Sequence, residues 1–306
     1  MDKTMIIVNP ASANGRTGKN WPRMSSYLYS QGLEFDQQMT GSMGDATRLA
    51  RQALLDGYTT VVSVGGDGTL NETLNGFFAG DALINPRAKL GVLFCGTGGD
   101  FIRTAGIPRN FNQAAARLRE GNSNILDVGR ITFASHSGER VSRYFLNVAG
   151  FGVDGEIVYR VNHTSKALGG FVSFLYATVS GLVAYRCLPV KLEIDSQVCY
   201  EGMFTVVAVG NGQFFGSGMQ IVPMAKLDSG HFDIVLIEQM SKLELLRYLP
   251  SIYRGNHIKN PHARLFSGKE VRATSSQKVL VDIDGEQPGC LDAEFTIVPA
   301  CLPVIL

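Results

Sequence analysis

The eight residues Gly65-Gly66-Asp67-Gly68-Thr69-Leu70-Asn71-Glu72 hold the densest chemistry in this chain. They follow the apolar, β-branched run Thr59 to Val64 and precede a helical pattern over Leu70 to Phe78. The glycines therefore fall where a strand turns into a helix. Glycine lets a backbone approach a ligand closely, and the free N–H groups of a helix start attract anions. An aspartate in such a nest opposes phosphate unless a magnesium ion lies between them or the carboxylate acts as a base. The combination points to nucleotide-dependent phosphoryl transfer rather than simple anion binding. Two more polar loops, Asn9 to Lys19 and Gly96 to Asp100, also follow strand patterns. In an open α/β sheet, ligands bind beyond the carboxyl ends of the strands. No Walker A spacing and no dinucleotide fingerprint is present.

Several of these residues have purely structural readings as well. Thr69 and Glu72 fit the N-cap and N3 positions of a capping box, which makes Glu72 structural. Asp67 then has no capping role left to fill. Asp100 either caps the helix after it or faces the crevice with Arg103 orienting it. Far along the chain, Asp282-Ile283-Asp284-Gly285-Glu286 reads as a strand entering an Asp-Gly hairpin turn. Three acids within five residues are costly without a cation or a shared proton. Glu286, beyond the turn, is a candidate general base toward an acceptor hydroxyl. The histidines His136, His163, His231, His257 and His262 show no metal-ligand spacing, and His257 and His262 read as solvent-exposed loop residues.

The elements that must position these residues alternate in the first part of the chain. Strand patterns at Thr4–Val8, Leu33–Met39, Thr59–Val64 and Leu90–Phe94 are interleaved with helical patterns at Asn20–Gln31, Asp45–Asp56, Leu70–Phe78 and Asn112–Glu120. That order predicts a mainly parallel sheet with helices on both faces, a Rossmann-like three-layer α/β domain. Beyond Asp127 strands dominate, with patterns at Arg143–Val148, Val190–Ile194, Met203–Val209, Phe232–Ile237, Glu270–Thr274, Val279–Ile283 and Phe295–Val298. Helical patterns there are confined to about 166–185 and 241–254. This predicts an all-β, antiparallel sandwich. The expected domains are 1–128 and 129–306, with the last strand an option to return to the first domain and the active site in the interdomain cleft.

Composition sets the frame. The chain has 306 residues, 45% hydrophobic and 18% charged, with a formal net charge of +1. Such a balance gives no global pull toward nucleic acid, and no nucleic-acid partner is expected. Five scattered cysteines without a CxxC read as reduced thiols. The uncharged stretch Ala167–Tyr185 is about the length of a membrane span. Its glycines, serines and threonine favour a buried or pocket-lining helix instead.

The tract Gly65–Glu72 with Leu74-Asn75-Gly76 resembles the diacylglycerol kinase catalytic domain family, and most closely its bacterial soluble branch related to sphingosine and ceramide kinases. Ile6-Ile7-Val8-Asn9-Pro10-Ala11-Ser12 is similar to that family's first strand and loop. Gly96-Thr97-Gly98-Gly99-Asp100-Phe101-Ile102-Arg103 is similar to its third loop, with Gly99 where asparagine is usual. Pro223–Gly230 resembles its metal loop, and Asp284-Gly285-Glu286 its terminal acidic motif. The resemblance implies ATP contacts from Asn9, Pro10, Ala11, Ser12, Ala13, Thr40, Gly65, Gly66, Asp67, Gly68, Thr69, Leu70, Asn71 and Thr97. It implies Glu286 as proton acceptor, with Asp67 as the second choice. Asp67, Asp100 and Asp127 would surround the catalytic Mg2+, with Arg103 orienting them. A structural magnesium would lie at Lys226, Ser229 and His231, although Ser229 stands where the family has aspartate.

The resemblance thus implies an ATP-dependent lipid kinase serving phospholipid metabolism, cytoplasmic and transiently at the membrane surface, with a homodimer as one option. Ala167–Tyr185 would wall an acyl-chain pocket. A kinase acting on NAD is the rival enzyme, and a non-catalytic nucleotide or lipid sensor on the same fold is the rival of a different class.

Overall fold

The computed structural model describes residues 3–157, 180–181 and 184–306. They form two compact units, Met1–Leu126 with Ala300–Leu306, and Asp127–Pro299. The expected helix at 166–185 lies outside the described residues except for Ser180, Gly181, Ala184 and Tyr185.

The first unit runs β1 (Thr4–Val8), α1 (Arg16–Ser30), β2 (Asp36–Met39), α2 (Asp45–Leu55), β3 (Thr60–Gly65), α3 (Asp67–Gly76), a small hairpin of β4 (Phe78–Ala79) and β5 (Ala82–Leu83), β6 (Lys89–Phe94), α4 (Asp100–Ala105) and α5 (Phe111–Glu120). Strands β2, β1, β3 and β6 lie side by side, all parallel. Val304 adds a further parallel neighbour to β6 at Leu90. Strand residues alternate between faces. Ile6, Val8, Val62, Val64 and Leu93 share one core with Trp21 and Leu28 of α1 and with Ala114, Ala115 and Leu118 of α5. The intervening Ile7 and Val61 are equally buried, and α2 and α3 pack on β1 and β3. Near-continuous apolar strands buried on both faces are the mark of a parallel sheet between two helix layers.

Helix α1 begins four residues earlier than its sequence pattern suggested, because the polar loop before it winds straight into the helix. Glycines make tight approaches possible at a few places. A Cβ on Gly76 would come within 2.5 Å of the Ala50 Cβ and 2.6 Å of the Thr47 carbonyl, so α2 and α3 cross at bare backbone.

The second unit holds most of β7 (Ser123–Ser135), then β8 (Arg140–Phe145), β9 (Val148–Gly152), β10 (Leu188–Ile194), β11 (Gln197–Gly210), β12 (Phe232–Glu238), α6 (Lys242–Ile252), β13 (Ala263–Gly268), β14 (Glu270–Thr274), β15 (Leu280–Ile283) and most of β16 (Glu286–Ile305). Its pairings are antiparallel: β13-β12-β11-β10-β14-β16 in one run, β11-β9-β15-β16 in another, and β7 with β8. The sandwich core is aromatic. Phe145 stacks on Phe232 at 5.7 Å, and Phe151 meets Phe204 edge-on at 5.5 Å. These arrangements add to the area the rings bury.

Strands β7, β9 and β13 had no counterpart in the sequence patterns. In β7 the run Asp127–Arg130 looks like a break, yet Gly129 sits opposite Phe145, and a Cβ there would lie 2.2 Å from that ring. Strand β16 is far longer than Phe295–Val298, because Pro288, Pro299 and Pro303 do not interrupt it. Proline within a strand is tolerated where no ladder N–H is required.

Candidate active site

In the first unit, the carboxyl ends of adjacent parallel strands bring the sequence-singled loops together. Asn9 donates its backbone N–H to the Val64 carbonyl at 2.9 Å. Its Nδ2 donates to Thr69 Oγ1 at 3.0 Å, and its Oδ1 accepts from the Ala11 N–H at 3.0 Å. The Thr40 N–H closes on Val8 O at 2.9 Å, which places Thr40 beside the same loop. Pro10 and Ala11 accept backbone bonds from Gly18 and Gly15. The Ser12 hydroxyl lies within hydrogen-bonding distance of Asn9 O and Thr17 Oγ1, at 2.9 and 2.7 Å. Ala13, Asn14 and Gly15 hold φ of 51°, 58° and 79°, three left-handed residues in succession. Strained non-glycine residues of this kind cluster at ligand-binding sites.

Thr69 does not cap helix α3. The helix starts at Asp67 with Gly66 as its N-cap, and Thr69 is buried inside the first turn as the partner of Asn9. Glu72 is structural, but it serves a different helix. Its Oε1 and Oε2 accept from the Gly44 and Ala46 N–H groups at 2.9 and 3.1 Å, at the start of α2. The local capping box lost to a tertiary partner because helix α2, with left-handed Gly44 before it, has no side-chain cap of its own.

Asp67 has a definite geometric role. Its Oδ2 accepts from the Gly99 N–H at 2.7 Å and its Oδ1 from the Asp100 N–H at 3.1 Å. The carboxylate therefore ties the start of α3 to the start of α4, and a charged acceptor makes such bonds stronger than neutral ones. Gly99, the N-cap of α4, holds φ +76°, a conformation open to glycine and asparagine. That accounts for the exchange of one for the other here. Asp100 is the first residue of α4 and pairs with Arg103 across one turn at 3.2 Å. Thr97 O accepts from Arg109 at 3.4 Å, and Arg109 also binds Gly98 O. Gly65, Gly66 and Gly68 supply the tight turn: a Cβ on Gly65 would strike Thr69 Oγ1 at 2.4 Å, and one on Gly96 would come within 2.8 Å of the Gly66 Cα. Leu70 and Asn71 are buried in α3.

The remaining acids belong to the second unit. Asp284 and Gly285 have φ of 48° and 89°, and Ile283 pairs with Glu286. This is the two-residue primed turn expected of Asp-Gly. Asp282 lies in β15 and Asp284 in the turn that follows it. The Asp284 carboxylate accepts from the backbone N–H groups of Leu146, Asn147 and Val148 at 3.1–3.2 Å. Glu286 is partly exposed and pairs with Arg143 at 2.8 Å. Asp127 is buried; its Oδ2 accepts from the Gly230 N–H at 2.6 Å, and its own N–H donates to Leu227 O at 2.7 Å. Thus Asp67, Asp100 and Arg103 meet on the first unit, whereas Asp127 takes these partners from the second.

The loop Lys226–His231 does not suit the magnesium that the resemblance implies. The Ser229 hydroxyl lies 3.2 Å from Lys226 O and 2.9 Å from His231 O. The hydroxyl thus shares its single proton between two carbonyls, and it brings no negative charge to the loop. Among the described residues no group of three or more His, Cys, Asp or Glu is arranged to hold a metal. His257, expected in solvent, is buried, lies 2.9 Å from Ile221 O through Nε2, and has its pKa lowered by that burial.

One acid escaped the sequence reading. Asp154 follows β9 and is buried at 4% exposure, with Oδ1 accepting from the Gly155 N–H at 2.8 Å. Burial raises its pKa to about 7. Asp282 is also buried, and burial followed by the Asp154 charge pushes its pKa well above the ordinary value. Gly150 lies opposite Asp282, and a Cβ there would sit 2.4 Å from Asp154 Oδ2. An aspartate directly after the apolar run Val148–Val153 was the available signal.

Comparison with known proteins adds to this geometry. The profile of the diacylglycerol kinase catalytic domain matches residues 3–131, and that of the YegS C-terminal NAD kinase beta sandwich-like domain matches residues 147–306. A diacylglycerol kinase of Staphylococcus carnosus (strain TM300) is 30% identical over 293 residues, covering 96% of this chain and 91% of that protein. A diacylglycerol kinase of Bacillus subtilis (strain 168) is 29% identical, covering 96% and 93%. The crystal structure of a candidate diacylglycerol kinase from Bacillus anthracis strain Sterne superposes with a TM-score of 0.79 at 25% identity, covering 99% of this chain and 95% of that one.

Proposed function

We propose a substrate and a set of working residues from one premise: the chain belongs to the diacylglycerol kinase family and is an ATP-dependent lipid kinase. The acceptor in this reading is the free hydroxyl of a diacylglycerol, and the product is its phosphate monoester. The carrying observation is Asp67, whose carboxylate joins the loops after β3 and β6 into one frame.

The loops Asn9–Ala13, Gly65–Asn71 and Thr97, with Thr40, hold ATP as its magnesium complex. Backbone N–H groups at the start of α3 take up phosphate charge. Asp67 and Asp100 would stand by the magnesium of that complex, which would neutralise phosphate charge, and Arg103 orients Asp100. The acceptor oxygen attacks the γ-phosphorus, the bond to the bridging oxygen breaks, and ADP leaves. Glu286 takes the hydroxyl proton while Arg143 holds its carboxylate in place. Asp127 seats the loop Lys226–Gly230 of its own unit. Positioning and charge neutralisation carry most of such a reaction.

No helix among the described residues is long and apolar enough to cross a membrane. The reading places the enzyme in the cytoplasm, meeting its lipid at the membrane surface.

The test is transfer of radiolabelled γ-phosphate from ATP to a panel of diacylglycerols, sphingoid bases, ceramide and NAD, with Glu286→Gln beside the wild type. Diacylglycerol should be labelled, and the variant should lose about 100- to 10,000-fold in kcat while keeping its ATP affinity. Labelling of NAD alone would replace this reading. Undiminished turnover by the variant would remove Glu286 from its role.

A further inference from the structure

We propose that the Ser229 hydroxyl locks the loop Lys226–His231 in the place where the family resemblance puts a magnesium ion, so that the loop folds independently of divalent cations. Gly230, at φ 71°, turns the chain back, and the carbonyls of Lys226 and His231 converge on one side of that turn. Two carbonyl oxygens facing each other repel unless a positive group stands between them. The hydroxyl proton is that group here, 3.2 Å from one oxygen and 2.9 Å from the other by heavy-atom distance.

Among the described residues no group of three or more acids, histidines or cysteines is arranged to hold a metal here, and the partly buried Asp233 turns Oδ1 toward His231 Nε2 at 4.0 Å. Magnesium demands near-octahedral oxygen ligation at about 2.0–2.1 Å, usually with a carboxylate. Asp228 is exposed, and Asp127 directs Oδ2 to the Gly230 N–H at 2.6 Å. His231 Nδ1 lies 3.1 Å from Ser229 O, within the loop itself. A second attachment, Asp127 N–H to Leu227 O at 2.7 Å, clamps the other end of the loop. Asp127 is therefore fixed to this loop through both its carboxylate and its backbone N–H. Loss of divalent cations should leave it where it is.

The experiment is thermal unfolding of the nucleotide-free full chain in EDTA, in MgCl2 and in CaCl2, for the wild type, Ser229→Ala and Ser229→Asp. The wild-type Tm should be the same in all three. Ser229→Ala should lose about 2 °C in each, the shift expected for one hydrogen bond in a domain of this size. Ser229→Asp should acquire a saturable rise in Tm with MgCl2 or CaCl2. Three results would overturn the proposal: a saturable cation-dependent rise in the wild type, a Ser229→Ala melt identical to wild type, or a Ser229→Asp melt indifferent to cations. About one equivalent of divalent metal in extensively dialysed wild-type protein, by elemental mass spectrometry, would overturn it too. No substrate enters these measurements, so their failure leaves the phosphorylation reading untouched.

Discussion

Replacing Asp154 with asparagine should flatten the dependence of stability on pH. Asp154 is buried, and burial raises its pKa from 3.8 to about 7. An acid with a raised pKa keeps its proton longer in the folded chain than in the unfolded one. Its stabilising contribution is complete below the unfolded value near 4 and is lost as pH rises through about 7. Asp282 is buried beside it and is raised in part by the Asp154 charge, so the two titrate as a pair, and between about pH 5.5 and 7.5 the linkage relation gives a loss on the order of 2 kcal/mol that depends on Asp154. An asparagine at this position would be neutral throughout and could still accept from the Gly155 N–H. The assay is urea unfolding of wild type and Asp154→Asn at both pH values, followed by the near-ultraviolet signal. The variant should gain about 2 kcal/mol on the wild type in going to the higher pH. His257 works in the opposite direction, because burial lowers its pKa, but it is common to both proteins and cancels in the difference. Parallel pH dependences for the two proteins would refute the reasoning.

Other outcomes follow from the same geometry. Asp67→Asn removes the charge from the two bonds that hold the loop before α4; ATP affinity, measured by calorimetry, should fall by about 1–3 kcal/mol. Gly76→Ala places a methyl within 2.6 Å of the Thr47 carbonyl; it should cost about 1–3 kcal/mol in denaturant unfolding, because backbone cannot move aside as a side chain can. Glu72→Gln should weaken α2 rather than catalysis, since both its oxygens accept N–H bonds at that helix start. Its kcat should stay near wild type while the melting temperature drops by about 2–4 °C.

The first unit was largely legible because its strands are apolar runs with glycine loops at their ends, and those signals are local. What the sequence hid was tertiary. Glu72 matched a capping box in its own helix, yet it serves a helix start 26 residues away. Asp67 looked purely chemical, and only the fold reveals that it also receives the backbone of Gly99 and Asp100. The second unit was less legible. A domain boundary was expected at Asp127–Arg130 and only Phe295–Val298 was expected as the last strand, yet β7 runs through Gly129 against a facing phenyl ring and β16 runs through three prolines. His257 read as a loop histidine because its burial comes from the distant Ile221 segment. Asp-Gly at 284–285 formed the turn its local chemistry demanded. The three backbone N–H groups collected by Asp284 come from residues more than 130 positions earlier and left no local trace.

Strand β16 begins at Glu286 and ends at Ile305. Its last residues, Ala300–Leu306, belong to the unit that otherwise finishes at Leu126. Val304 pairs with Leu90, Ile305 is buried in the core beside Leu118, and Leu306 O receives Arg117 at 3.2 Å. During synthesis the first 126 residues therefore emerge as a sheet lacking its edge strand. They must wait for some 170 further residues to be translated, which is about 10–35 s at ordinary elongation rates. The nascent α/β unit exposes β6 for that whole interval. A stalled or truncated chain would leave an unpaired apolar strand open to aggregation, and the α/β unit becomes complete only when the β-rich unit has been made.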